Sequence, residues 1–253
     1  MVQIQSIAQK LLSPLGIGVV RVESNRLATE ATPAEKAIYD KAREFTMTSP
    51  ERLWALMQAV SYVVRNDLQG DFVECGVWRG GSAMTIALQL QKLGVTDRDL
   101  WLYDTFQGMT PPTDADVDAR TGTSARKLLS KTTKAAGNNV WCIASLDDVR
   151  ANVQSTGYPM DRVHFKEGDV AVTLLEDRPS TISVLRLDTD WYESTKVELE
   201  TLFPALVPGG VCIIDDYGHW EGARRAVDEY LAEHKLSPLL NRIDYTGRLF
   251  VKS

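Results

Sequence analysis

The chain of 253 residues is 44% apolar and 25% charged, which is the composition of a globular protein long enough for one large α/β domain. Its net charge of −6 and its lack of a long uninterrupted apolar run argue against nucleic-acid and membrane partners. Three scattered cysteines without metal or disulfide spacing, and a start without the features of a signal peptide, favour the cytoplasm.

Apolar runs that predict buried strands alternate along the chain with segments of helical period. Residues 1–45 have weak periodicity and are predicted to be an N-terminal helical or lid segment, followed by one domain over residues 46–253. The predicted helices are Pro50–Arg65, Ser82–Leu93, Ser194–Leu206 and Gly222–Glu233. The predicted strands are Phe72–Cys75, Leu100–Tyr103, Val163–Lys166, Val184–Leu187 and Val211–Ile214. Near the C-terminus, Arg242–Tyr245 and Arg248–Lys252 flank Thr246-Gly247 and predict an antiparallel hairpin on a mostly parallel sheet.

The segment Gly70–Ser82, GDFVECGVWRGGS, places an acid near the end of a strand and follows it with glycines and a helix. Such a turn brings backbone N–H groups to the carboxyl edge of a sheet, where α/β folds bind nucleotides. It lacks the Lys of a P-loop and the middle glycine of a dinucleotide fingerprint, and Glu74 would disfavour an anionic pyrophosphate. Glu74 instead suits the cationic S-adenosylmethionine, while a turn with a capping carboxylate and no ligand remains the alternative.

The next two strand ends carry further polar residues. Asp104 lies about twenty residues beyond the glycines, where a carboxylate can accept hydrogen bonds from the ribose hydroxyls of an adenosyl group. Gly168 and Asp169 end the third strand, from which polar groups can meet an adenine edge. The alternative for Asp169 is a purely structural N-cap of the following helix.

The fourth and fifth strands each end in two carboxylates, Asp188 with Asp190 and Asp215 with Asp216. Adjacent parallel strands would bring all four together, and four acids repel one another unless a cation lies among them. Mg²⁺ is the expected cation because it binds carboxylate oxygens. Separate N-capping of two helices is the alternative, and no cluster of thiols or imidazoles predicts zinc.

The loop Gly108–Thr123 carries Asp114, Asp116 and Asp118 at alternate positions. The residues that follow lack the glycine and the closing glutamate of a calcium loop, so the sequence predicts a solvated acidic loop. Several aromatic residues after the strand ends are predicted to be either core residues or the wall of an acceptor site. They are Phe106, Trp191, Tyr192, Tyr217 and Trp220.

Four ordered segments of the chain resemble the macrocin O-methyltransferase family. They are Glu74–Gly81 (ECGVWRGG), Tyr103–Gly108 (YDTFQG), Arg186–Asp190 (RLDTD) and Ile214–Tyr217 (IDDY). Members of this family methylate hydroxyls, notably on sugars attached to antibiotics, with S-adenosylmethionine and Mg²⁺. The resemblance runs from about Thr46 to the C-terminus. It implies a Rossmann-like class I methyltransferase fold with a mostly parallel seven-stranded sheet and a C-terminal antiparallel hairpin.

The resemblance also implies roles for individual residues. Glu74 and Gly76 would hold the methionyl end of the cofactor, Asp104 its ribose, and Met47 would contact it from the preceding helix. Similarity to the metal-dependent catechol O-methyltransferases implies further roles in the acidic cluster: Mg²⁺ would be bound by Asp188, Asp215 and Asp216, and Asp190 would be the general base. The spacing leaves the roles of Asp188 and Asp190 interchangeable.

The sequence therefore predicts an enzyme that transfers a methyl group from S-adenosylmethionine to a hydroxyl of a small molecule, namely a sugar hydroxyl of a glycosylated natural product. Two alternatives come from other classes. A dinucleotide-dependent oxidoreductase would leave the four terminal acids unexplained, and the intact acidic pairs argue against a methyltransferase-like interaction module without turnover. The oligomeric state, including a homo-oligomer, stays open.

Overall fold

The computed structural model describes residues 27–134 and 140–253, which are built around a seven-stranded sheet. The strands are β1 (Asp71–Cys75), β2 (Leu100–Asp104), β3 (Val163–Glu167), β4 (Ile182–Leu187), β5 (Leu206–Ile214), β6 (Asn241–Arg242) and β7 (Arg248–Val251). Their spatial order is β3-β2-β1-β4-β5-β7-β6. The first five strands are parallel, and β7 runs antiparallel to both of its neighbours. The predicted α/β fold with a C-terminal antiparallel hairpin is confirmed.

Helices cover both faces of the sheet. They are α1 (Pro33–Ala42), α2 (Pro50–Arg65), α3 (Gly81–Lys92), α4 (Ala125–Ser130), α5 (Leu146–Gln154), α6 (Val170–Glu176), α7 (Tyr192–Leu202) and α8 (Glu221–Glu233). Successive strand residues point to opposite faces, so Val184 joins the core under α2, α3 and α5 while Leu185 joins the core under α6, α7 and α8. Because both faces are covered, all six residues of β4 are buried.

The order of the strands places a topological switch point between β1 and β4. From β1 the chain moves outward to β2 and β3, and it then returns to the other side of β1 to form β4 and β5. Open α/β sheets bind ligands outside the carboxyl ends of the strands at such a point. The topology therefore directs attention to the residues that follow β1 and β4.

The connection between α7 and β5 differs from the prediction. The predicted helix Ser194–Leu206 ends at Leu202, a short 3₁₀ turn covers Phe203–Ala205, and β5 begins at Leu206. Pro208-Gly209-Gly210 lies inside β5, where the pairing with β4 changes register and Gly209 has a φ of 83°. An irregular strand start tolerates proline and glycine, although the same residues in a sequence resemble a helix stop.

Helices α4 and α5 were missing from the prediction, whereas α1 lies in the predicted N-terminal helical or lid segment and α6 is the helix that follows Asp169. In α1, the side chain of Thr32 accepts a hydrogen bond from the Glu35 N–H, Pro33 occupies the first turn, and Glu35 pairs with Lys92 of α3 at 2.8 Å. Residues 1–26 of the predicted N-terminal segment lie outside the described residues. Within residues 27–134 and 140–253, no helix combines the length and the apolar character needed to cross a membrane.

Candidate active site

A cavity of about 500 Å³ opens at the carboxyl end of the sheet, beside the switch point between β1 and β4. Residues that follow all five parallel strands line it, together with the segment before α2. All ten residues selected from the sequence lie in its wall: Met47, Glu74, Gly76, Asp104, Gly168, Asp169, Asp188, Asp190, Asp215 and Asp216. The fold thus brings the expected cofactor residues and the expected acids into one site.

The turn after β1 packs tightly against the turn after β4. Gly76 has a φ of 83°, and a Cβ built on it would lie 1.9 Å from the backbone oxygen of Asp188. Only glycine fits such an approach of two backbones. Gly80, with a φ of 87°, then starts α3, whose first turn has no side-chain cap. No protein side chain therefore accepts a hydrogen bond from the first backbone N–H groups of α3.

Asp104 ties the turn after β1 to the turn after β2. Its Oδ2 accepts hydrogen bonds from the backbone N–H groups of Val77 at 2.7 Å and Trp78 at 3.0 Å, and its Oδ1 accepts one from Phe106 at 2.7 Å. Burial raises the pKa of Asp104 even though these amides favour the carboxylate. Oδ2 already accepts two hydrogen bonds, whereas Oδ1 accepts one strong hydrogen bond and keeps a lone pair with which it can accept a hydrogen bond from a ligand.

Gly168 and Asp169 lie in the cavity wall between β3 and α6. Gly168 has a φ of 140°, and its N–H donates to the backbone oxygen of Asp104 at 2.9 Å. Asp169 is the N-cap of α6, because its Oδ1 accepts from the N–H of Ala171 at 2.9 Å. The capping role that the sequence left as an alternative is therefore present, and the residue lines the cavity as well.

Glu74 is buried at the end of β1 and pairs with Arg186 of β4, with 2.6 Å between Oε1 and Nη1. Its second oxygen, Oε2, has no hydrogen-bond partner among the described residues. Burial raises the pKa of Glu74 to about 7, although the Arg186 guanidinium opposes this shift. A buried, unpaired carboxylate oxygen beside the cavity fits a ligand that carries an N–H donor and positive charge.

Asp188, Asp215 and Asp216 each offer a carboxylate oxygen, and these three atoms lie within 4.8 Å of one another. Two arginines compensate part of their charge. Arg186 Nη2 lies 2.8 Å from Asp188 Oδ2 and 2.7 Å from Asp215 Oδ1, and Arg52 pairs with Asp215 Oδ2. In contrast, Asp216 Oδ2 is buried and has no hydrogen-bond donor in the described part of the chain, and the carboxyl groups close to Asp216 are those of Asp188 and Asp190.

Three carboxyl groups of the site, those of Asp188, Asp190 and Asp216, have raised pKa values because the arginines compensate only part of the negative charge. Burial raises the pKa values of Asp188 and Asp190 to about 7 each. Burial and the neighbouring Asp190 raise the pKa of Asp216 well above its ordinary range. Oxygen ligands, close spacing and excess negative charge are the features that Mg²⁺ requires, so the residues fit this ion.

The sequence model of the macrocin-O-methyltransferase (TylF) family matches residues 21–252. The chain belongs to the macrocin O-methyltransferase family. It is therefore an O-methyltransferase, and the enzyme class predicted from the sequence is confirmed.

Relatives of this macrocin O-methyltransferase act on natural products. It is 37% identical over 202 residues, 80% of this chain and 73% of the relative, to the 8-demethyl-8-(2,3-dimethoxy-alpha-L-rhamnosyl)-tetracenomycin-C 4'-O-methyltransferase of Streptomyces olivaceus. It is 33% identical over 241 residues, 90% of this chain and 91% of the relative, to the mycinamicin III 3''-O-methyltransferase of Micromonospora griseorubida.

Solved structures agree with this family assignment. The O-methyltransferase NovP aligns with a TM-score of 0.71 and 29% identity, covering 100% of this chain and 99% of NovP. The calicheamicin methyltransferase CalS11 aligns with a TM-score of 0.60 and 17% identity over 93% of this chain and 98% of CalS11, and it shares the fold. The Rossmann-like class I methyltransferase fold is confirmed.

The two arginines of this O-methyltransferase site, Arg52 and Arg186, were not predicted from the sequence. Arg186 is 2% exposed and contacts three carboxylates and the Thr48 hydroxyl. The sequence did contain a sign of the role of Arg186. This residue is charged but lies inside the apolar run Val184–Leu187, and a buried charge requires a partner of opposite charge. Arg52 gave no such signal, because its partners Asp215 and Asp244 are distant in the sequence.

The prediction of a solvated acidic loop is wrong for two of its three acids. Asp114 is exposed, but Asp116 is fully buried and Asp118 is 7% exposed. Asp116 Oδ1 accepts from the N–H of Tyr192 at 2.8 Å, and its Oδ2 accepts from the N–H of Thr113 at 2.7 Å. Asp116 thus ties the loop to the start of α7, while Asp118 accepts hydrogen bonds from the N–H groups of Arg120 and Thr121 within the loop.

Only one of the five predicted aromatic residues lines the cavity of this O-methyltransferase, namely Trp220. Phe106 and Trp191 are buried core residues, while the hydroxyls of Tyr192 and Tyr217 bond to acids of α8. The cavity wall also contains His219, which follows the last parallel strand, and Tyr245, for which the sequence predicted no role in the site. Their rings lie 5.9 Å apart.

Proposed function

We propose that this O-methyltransferase transfers the methyl group of S-adenosylmethionine to a sugar hydroxyl of a glycosylated natural product, with Mg²⁺ bound in the site. The observation that carries the proposal is the single cavity that contains both the glycine turn with Glu74 and the acidic cluster. The names of the Streptomyces and Micromonospora relatives support an acceptor of this class. S-adenosylmethionine supplies an activated methyl group, and Mg²⁺ supplies a Lewis acid for the acceptor hydroxyl.

The cofactor side of the cavity would hold S-adenosylmethionine through residues on three strand ends. Glu74 Oε2 would accept a hydrogen bond from the methionyl ammonium, and the close turn at Gly76 would let the ligand approach the backbone. Asp104 would accept a hydrogen bond from a ribose hydroxyl with the remaining lone pair of its Oδ1. Gly168 and Asp169 would border the adenine, and Met47 would contact the cofactor from the segment before α2.

The acidic side would hold Mg²⁺ through Asp188, Asp215 and Asp216. Asp190 lies outside this group of three, which favours it as the general base over Asp188, whose carboxylate is held by Arg186. Burial gives Asp190 a pKa of about 7, near the value at which a base both accepts and releases a proton efficiently. Asp190 would thus remove the proton of the acceptor hydroxyl.

The charge of the cavity favours an acceptor without phosphate groups. Seven carboxylates and only two guanidiniums line it. A cationic methyl donor and a divalent cation would offset part of the negative charge, but both guanidiniums are already paired with carboxylates and no lysine of the described residues lines the cavity, so a diphosphate would find few cationic partners. We therefore place this enzyme after glycosyl transfer, on a neutral glycoside, in contrast to the relative described as a TDP-rhamnose 3'-O-methyltransferase.

Residues 1–45 and the loop Gly108–Thr123 would form the cover that selects the acceptor. Met47, directly after the N-terminal segment, and Gly108, at the start of the loop, both line the cavity, which places the end of the one and the start of the other beside it. Mobile covers commonly exclude water from sites of group transfer. Removal of residues 1–26 should then reduce turnover more than cofactor binding. We also propose that the enzyme works in the cytoplasm.

The function can be tested with S-adenosylmethionine labelled in the methyl group. We expect label transfer to neutral glycosides, and none to the matching aglycones or sugar nucleotides. Excess EDTA should abolish transfer and added Mg²⁺ should restore it, while the Kd of S-adenosylhomocysteine changes little. Full activity after confirmed metal removal would exclude the metal role, and transfer to aglycones alone would exclude a sugar acceptor.

A further inference from the structure

Another buried acid, Glu198, lies beneath the site and takes no part in the proposed chemistry. Glu198, in the second turn of α7, is fully buried. Its Oε1 accepts a hydrogen bond from the Thr189 hydroxyl at 2.8 Å, and its Oε2 has no partner among the described residues. Burial raises the pKa of the Glu198 carboxyl well above its ordinary range. A buried polar group of this kind usually serves a specific purpose.

Thr189, the partner of Glu198, lies between the two acids at the end of β4. The backbone oxygen of Thr189 accepts a hydrogen bond from the N–H of Trp191 at 2.9 Å, and the residue between them, Asp190, has a φ of 71°. This is a γ-turn with a positive φ at its centre, the rarer and more strained of the two forms. A non-glycine residue in such a conformation persists only where its surroundings hold it.

The far side of the γ-turn is anchored independently of Glu198. The indole N–H of Trp191 donates to the backbone oxygen of Thr110 at 3.0 Å, and its ring packs edge-on against Trp220 with 4.9 Å between centroids. The N–H of the next residue, Tyr192, bonds to Asp116. On the near side of Asp190, the side-chain anchor of Thr189 is its hydrogen bond to Glu198. The Ser194 hydroxyl also donates to the backbone oxygen of Thr189, but at 3.4 Å, so loss of the bond to Glu198 would leave this end of the turn with a weaker anchor.

We propose that Glu198 is a positioning residue: through Thr189 it holds the strained γ-turn and so keeps the carboxylate of Asp190 in the cavity. The inference rests on the proposed function, in which Asp190 is the general base. Relaxation of Asp190 to a negative φ would redirect its Cβ and move the carboxylate. A displacement of about 1 Å in a catalytic group can reduce the rate about 100-fold.

Two pairs of variants separate positioning from packing. Thr189→Val and Glu198→Leu keep the approximate side-chain size but remove the hydrogen bond, whereas Thr189→Ser and Glu198→Gln keep an appropriate donor or acceptor. We expect kcat to fall about 10- to 100-fold in the first pair and to stay within about threefold of the wild type in the second. The Kd of S-adenosylhomocysteine should change less than about twofold in all four, because no cofactor residue is altered.

Further measurements identify the cause of a loss. The double variant Thr189→Val/Glu198→Leu should be no slower than either single variant, because both remove the same bond. The acidic limb of the pH–rate profile should shift in Thr189→Val, since the environment of the base changes, and remain unchanged in Thr189→Ser. A wild-type kcat in Thr189→Val would overturn the inference. Equal losses of kcat and thermal stability in all four variants would also overturn it, because they would indicate general packing.

Crystal structures make the test independent of turnover. In wild type Asp190 should retain a positive φ, and in Thr189→Val it should adopt a negative φ. An unchanged positive φ in Thr189→Val would refute the positioning role even if no acceptor is methylated. Failure of the wild type to methylate any glycoside while it binds S-adenosylhomocysteine would count against the proposed function alone.

Discussion

Glu74 and Arg186 are register partners on the adjacent strands β1 and β4, and their side chains form an ion pair that is 1% and 2% exposed, respectively. The pair lies at the switch point of the sheet, with the cofactor turn on one side and the acidic cluster on the other. Loss of one member of a buried pair leaves the other charge uncompensated, which costs about 3–5 kcal/mol. This arginine therefore supports the fold and the site together.

We expect Arg186→Met to lower the free energy of unfolding by about 3–5 kcal/mol, because Glu74, Asp188 and Asp215 would all lose their shared guanidinium. Urea denaturation measures the effect. The control is Lys196→Met, which removes a partly exposed pair with Glu200 and should cost less than about 1 kcal/mol. Equal effects of the two substitutions would contradict the buried network.

The neighbouring acids Asp215 and Asp216 should respond oppositely to neutralisation in the metal-free protein. Asp215→Asn removes a partner of Arg52 and Arg186 and should be destabilising by about 3 kcal/mol or more. Asp216→Asn removes an uncompensated buried carboxyl and should be neutral or stabilising. Both variants should lose methyl transfer. Thermal unfolding in EDTA measures the contrast, and destabilisation by both would show that Asp216 has an unrecognised structural partner.

The acidic loop offers a matched pair of substitutions. Asp116→Ala should lower stability by about 1–3 kcal/mol, because the N–H groups of Thr113 and Tyr192 would be left without their buried acceptor. It should also raise the KM for the acceptor, since residues of this loop line the cavity. Asp114→Ala alters a fully exposed side chain and should change neither quantity. If both variants match the wild type, the loop does not depend on Asp116.

The ion pair between α1 and α3 predicts a dependence of stability on pH. Burial raises the pKa of Glu35, but hydrogen bonds from Lys92 and Thr32 outweigh it and hold the pKa at about 2, below the ordinary 4.5. A depressed pKa stabilises the folded state above pH 4.5, and this contribution is lost as the pH falls towards 2. The difference in unfolding free energy between wild type and Glu35→Gln should therefore shrink over that range. A constant difference would refute the link, and Lys92→Met should reduce the effect.

The positions of the site residues could be predicted from the sequence because one geometric rule determines them. Parallel strands end at one edge of a sheet, so acids directly after apolar runs, such as Asp104, Asp188 and Asp215, must meet there. The family resemblance then gave the chemistry. The hydrogen bonds that these acids make within the protein could not be predicted. Asp104, for example, accepts hydrogen bonds from three backbone N–H groups, and their positions depend on how the turns after the strands fold.

Long-range partners explain most of the remaining errors. Asp116 looks solvated in a polar loop, yet it is buried because α7 presents the N–H of Tyr192 to it 76 residues later. Pro208 resembles a helix stop, but it falls in the irregular start of β5. Neither partner is visible in a local window of sequence, since tertiary contacts override local preference.

Gly76 has a practical consequence for anyone who wants to redesign this enzyme. Its Cα lies so near the backbone oxygen of Asp188 that any larger residue would separate the two turns and damage both halves of the site at once. A mutant library should therefore keep this position constant. Diversity is better placed at Met109, Thr110 and Tyr245, which line the cavity away from the ends of the parallel strands, so that new acceptors can be selected while the methyl donor is still bound.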